Sequence, residues 1–106
     1  MTDIAQLHRE LVARVLGGDG MAPPDLRRAA FDDANLDEPL RTLVGKVAHH
    51  ARLVTDDDIA AARAAGLSED QIFEIVVCAA IGQADRRYTG ALAALAAATA
   101  DPGRSK

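Results

Sequence analysis

The chain has no tryptophan, one tyrosine, two phenylalanines and a single cysteine. One cysteine excludes an intramolecular disulfide and any redox cycle that resolves through a second thiol in the same chain. It also fits a reducing compartment. The opening residues, Met1 to Glu10, lack a basic stretch followed by an apolar one, so no secretory signal is read there. No run approaches the ~20 apolar residues that span a bilayer. The expected location is cytoplasmic, with no membrane partner.

Basic patches are missing too. Twelve Lys and Arg against sixteen Asp and Glu leave a net charge of −4. The adjacent basic pairs, Arg27–Arg28 and Arg86–Arg87, are not interleaved with the aromatics on which single strands stack. Nucleic acid is excluded as a partner on these grounds. A zinc reading lacks the His-x-x-x-His spacing. Asp56, Asp57 and Asp58 do not follow the spaced twelve-residue calcium loop either. No metal and no cofactor is called for.

What the chain has in abundance is alanine, more than a fifth of 106 residues. Alanine is the strongest helix former, and no stretch alternates as a strand would. The expected fold is all-α, a helical bundle of five to six helices in one domain. Residues 1–20 form an N-terminal helix and a Gly-rich break, 21–100 the helical body, and 101–106 a polar tail. Alanine buries little surface per residue, so burial between subunits, a homo-oligomer, is expected to complete the core.

Local signals place the helices. Ile4, Leu7, Leu11 and Val15 recur at helical steps until Gly17–Gly20 break the pattern. A short helix follows Pro23 and Pro24. A third starts near Glu38 and Pro39, with Leu40, Leu43, Val44, Val47, His50 and Ala51 on one face. Thr55 with Asp58, and Ser68 with Gln71, have capping-box spacing, and Gly66 between them supplies a left-handed stop. Ile75 to Ala80 is apolar on every face and reads as buried all round. Gly82 reads as a kink or break, and Asp101, Pro102 and Gly103 as the end of the last helix. Gly90, Ala94 and Ala97 form a small-residue ridge.

The segment PLRTLVGKVAHHARLVTDDDIAAARAAGLSEDQIFEIVVCAAIGQADRR resembles the carboxymuconolactone decarboxylase and AhpD-like superfamily. The resemblance spans about residues 21–98 and is strongest in the helix, Ala-Gly-Leu-Ser turn and following helix. It implies an all-helical fold and, in redox-active members, Cys-x-x-Cys followed four residues later by His, with an upstream Glu. Those positions are held here by Ala51, Val54 and Asp58, and the upstream glutamate falls near Pro39, beside Glu38. Thiol peroxidase chemistry therefore does not carry over. The family's decarboxylase branch implies instead a small carboxylate- or carbonyl-bearing ligand handled by acid–base chemistry.

The candidate residues for that chemistry are His50, Glu74 and Arg86. His50 lies on an apolar face and titrates near neutrality. Glu74 is a carboxylate among apolar neighbours, where burial without a partner is costly. The fork of Arg86 suits an anion. Each also has a structural reading: a core histidine, a solvent-facing or ion-paired glutamate, a solvated arginine. Cys78, in the apolar run, reads as a buried, inert thiol. The alternative to an enzyme is a non-catalytic oligomeric binding or assembly protein, and convergence of His50, Glu74 and Arg86 on one cavity separates the two.

Overall fold

A computed structural model describes residues 3–18 and 20–100, with all their side chains except that of Ala100. Asp19 and the tail 101–106, including the expected Asp101–Gly103 stop, lie outside the described residues. The protein is all-α. Five helices follow in order: α1 (Ile4–Gly17), α2 (Pro24–Asp32), α3 (Leu40–His49), α4 (Asp56–Ala64) and α5 (Glu69–Ala100), with a 3₁₀ turn, Ala51–Leu53, between α3 and α4.

The caps read from the sequence form as expected. Asp58 N donates to Thr55 Oγ1 at 3.3 Å while Thr55 N donates to Asp58 Oδ2 at 2.8 Å. Gln71 N donates to Ser68 Oγ at 3.1 Å, and Ser68 N donates to Gln71 Oε1 at 2.9 Å. Each box satisfies two amides that a helix start leaves without partners. Gly66, at φ 104°, ends the first of these helices in a conformation that favours glycine.

α5 is the axis of the molecule, and α2 and α3 make the most extensive contacts with it. The pair α4–α5 flanking Gly66 contributes less. One cluster centres on Phe31, Val44, Ile75, Cys78 and Ala79, and a smaller one on Leu43, Ala62 and Ile72. Val54, Ile59 and Leu67 pack against the second, as the staple spacings required.

Three helical readings change. Gly82 does not interrupt α5, which runs through it as one helix of 32 residues, about 48 Å at 1.5 Å per residue. Gly82 is buried, and a Cβ there would overlap the Phe31 main chain. The glycine serves close packing of α2 on α5. The Ile75–Ala80 run is not buried all round: Ile75, Cys78 and Ala79 are buried, Val76 and Val77 half-buried, and Ala80 exposed. In α1 the inward face is Val12, Val15 and Leu16, whereas Ile4, Leu7 and Leu11 are exposed.

α1 runs antiparallel to α5. Val15 shares a cleft with Cys78, while His8, two turns earlier, pairs with Asp85, about two turns later on α5. The His8 Nε2–Asp85 Oδ1 distance is 2.6 Å, and the His8 ring lies 4.6 Å, centroid to centroid, from Tyr88. Beyond this clasp, Thr89 to Thr99 are exposed on every face.

Candidate functional site

His50 lies outside α3, which ends at His49 because residue 50 adopts φ −148°, ψ 59°. Its side chain is exposed and not on the apolar face of that helix. The periodic reading failed there because the chain turns into the 3₁₀ segment one residue earlier than the apolar pattern implied. Its neighbour His49 makes the contact, with Nε2 3.0 Å from Asp33 Oδ2.

Arg86 is committed to the fold. Its Nη1 donates to the Phe31 carbonyl and its Nη2 to Gln83 Oε1 at 2.9 Å. It therefore ties the C-terminal end of α2 to α5.

Glu74 is half-buried, with no arginine at pairing distance among the described residues. Both its oxygens accept from Met21 N, at 2.9 and 2.7 Å, and Gln71 Nε2 donates to Met21 O at 3.0 Å. The two α5 side chains, one turn apart, clamp the segment that leads into α2. Gly20 lies against this clamp, and a Cβ there would push on the Glu74 carboxylate.

These three residues do not share a cavity within one chain. Glu74 lines a cleft of about 170 Å³ between α1, α2 and α5. Neither His50 nor Arg86 lines that cleft, nor the broader groove of about 550 Å³ at the end of α3, nor a third of about 240 Å³ by Pro39. Distinct backbone geometry at residue 50 and the closed hydrogen bonds of Arg86 account for the separation.

The 170 Å³ cleft holds what sequence reasoning missed. Besides Glu74 it is lined by Arg14, Val15, Arg27, Val77 and Cys78. Arg27 is only 6 % exposed. Its Nη1 donates to Gly18 O at 2.7 Å and to Val15 O at 3.3 Å, while its Nε is buried with no partner. A signal existed: Arg27 falls at helical spacing with Ala30 and Phe31 on the inward face of α2. Burial pushes the Cys78 thiol up from its ordinary value; the Arg27 charge opposes this shift and the Glu74 charge adds to it. The thiol stays protonated at neutral pH, as the sequence reading of an inert cysteine held.

At the positions that carry thiols in redox-active members of the superfamily the sequence resembles, no thiol stands. Ala51 lines the 550 Å³ groove, between Val47 and Ala80. Asp58, at the histidine position, accepts from Lys46 Nζ at 2.9 Å. Its carboxyl is held below the usual carboxylate range by that ammonium, by the Thr55 amide and by the Thr55 hydroxyl. Glu38, beside the upstream position near Pro39, accepts from Thr42 Oγ1 and N, both at 2.8 Å, bonds that lower its pKa. Among the described residues, no three His, Cys, Asp or Glu side chains gather to hold a metal ion.

No family model, curated protein or solved structure matches the chain. The site is therefore read from its own geometry.

Proposed function

We propose that this protein is a non-redox relative of the AhpD-like group that works as a self-associating, non-catalytic assembly protein. Its α1–α5 arm pairs with the same arm of a second copy. One observation carries the reading. From Tyr88 to the end of α5 there is no charged residue, and Thr89 to Thr99 are exposed on every face. A solvent-facing helix normally carries charge on its outer side.

Leu92 and Leu95 are 47 % and 61 % exposed there, and Ile4, Leu7 and Leu11 continue the apolar surface on α1. An uncharged helix end exposed on every face can be covered by the same surface of a second copy, which a two-fold axis supplies from identical sequence. The amount of surface agrees. The chain exposes 7189 Å², against about 5,700 Å² for a compact monomer of this mass. The surplus exceeds the ~800 Å² per partner that a stable interface buries.

The acid–base reading draws no support from the arrangement within one chain, because an active site needs its groups mutually positioned, and His50, Glu74 and Arg86 are not. Sedimentation equilibrium on the full chain tests the assembly. A dimer or larger closed oligomer is expected at micromolar concentration, and Leu92→Glu with Leu95→Glu should give a helical monomer. A wild-type chain that remains monomeric when concentrated tenfold would rule the reading out.

A further inference from the structure

Arg27 presents an unused edge. On a guanidinium, Nε–H and one Nη2–H point the same way, and together they form the fork that grips two oxygens of a carboxylate. In Arg27 the opposite nitrogen, Nη1, is occupied by the Gly18 and Val15 carbonyls. Nε has no partner although buried. Nη2 makes no hydrogen bond among the described residues. A buried donor without an acceptor is costly, and Arg27 is one of the residues that line the cleft.

We infer that the cleft between α1, α2 and α5 is a binding site for a small monocarboxylate, held by the Arg27 guanidinium. The ligand class follows from the walls. Among the described residues, two guanidiniums, Arg14 and Arg27, and one carboxylate, Glu74, line the cleft. That balance admits a single negative charge and disfavours a dianion. Val15, Phe73, Val77 and the protonated Cys78 make the remaining wall apolar, suited to a short alkyl or aryl group. The volume, about 170 Å³, equals that of roughly five or six waters at ~30 Å³ each, which sets the ligand at a few carbons. This site is independent of the assembly surface, since Leu92 and Leu95 do not line it.

The test is a titration of the full chain with acetate, butyrate and inorganic phosphate at fixed ionic strength. Amide chemical shifts of Val15, Gly18, Val77 and Cys78 are the readout. Butyrate should shift these amides saturably and bind more tightly than acetate, with phosphate weakest. Arg27→Lys keeps the charge but loses the fork, and should weaken butyrate binding by about tenfold or more. Val77→Phe fills the cleft without touching Arg27 and should have a similar effect, so it decides the matter if the lysine variant fails to fold. Glu74→Gln removes the opposing charge while keeping an acceptor for Met21, and should tighten butyrate several-fold. A merely structural Arg27 would not produce that gain. The inference is overturned if butyrate gives no saturable shift at these amides, if Val77→Phe binds as wild type does, or if phosphate binds as well as butyrate.

Discussion

At the scale of single residues, the polar groups of this chain are mostly spent on ends and joints of helices. Thr55 and Asp58 show how two physical effects share one carboxylate. Asp58 completes the capping box and also receives the Lys46 ammonium from α3. Thr55→Ala should cost about 1 kcal/mol, typical for a lost N-cap, and lower the melting temperature by roughly 4–8 °C for a domain of this size. Asp58→Asn should also destabilise at neutral pH. The folded-state pKa of Asp58 lies below its unfolded value, so its contribution is complete above about pH 3.9. That contribution disappears as the pH falls through the folded value. The gap between denaturant melts of the two proteins should therefore start to narrow below about pH 4 and close only beneath the folded value, and a gap that never narrows in acid would contradict the assignment. Cys78 gives a simpler check. At 2 % exposure and with its pKa raised by burial, it should react with a thiol reagent in the native protein only as fast as the protein opens.

At the scale of helices, Gly45 inside α3 and Gly82 inside α5 have opposite meanings. Gly82 touches the Phe31 main chain, whereas a Cβ at Gly45 would meet nothing within 4 Å. Gly82→Ala should force α2 off α5 and cost about 1–3 kcal/mol as an overpacking change. Gly45→Ala should stabilise by up to about 1 kcal/mol, because it removes backbone freedom from the unfolded chain without a clash. Paired chemical melts read both signs. The helix boundaries around residues 54–72 were legible because each cap depends on residues three apart in the chain. Gly82 was misread because nothing local distinguishes a glycine that breaks a helix from one that admits a neighbouring backbone. Only the position of Phe31, about fifty residues away in sequence, does so.

At the scale of the whole molecule, the radius of gyration is 16.8 Å, against about 13 Å for a compact domain of this length. The long axis reaches 59 Å, which a 32-residue helix running past its neighbours produces directly. If the exposed arm is covered by a second copy, the melting temperature should rise with protein concentration, since only the folded state associates. A melting temperature that stays constant over a hundredfold dilution series would argue for an isolated chain. The lone cysteine makes a further molecular expectation. Hydrogen peroxide with a dithiol reductant should show no turnover above background, because Cys78 is buried and burial raises its pKa, so peroxide meets no thiolate.

The sequence by itself determined the helical class, the caps at Thr55 and Ser68, the stop at Gly66 and the absence of a paired thiol. All of these rest on residue type and short spacing. Tertiary structure alone decided which apolar stripe of α1 turns inward, since two faces of that helix are apolar and only the position of α5 selects between them. It also decided the fate of the charged groups. Glu74, Arg86 and Arg27 are alike in sequence as charges beside apolar residues. Yet the first clamps Met21, the second holds Phe31, and the third is left with a free donor edge in a cleft. Those differences depend on where distant backbone carbonyls and amides come to rest, which no local pattern encodes.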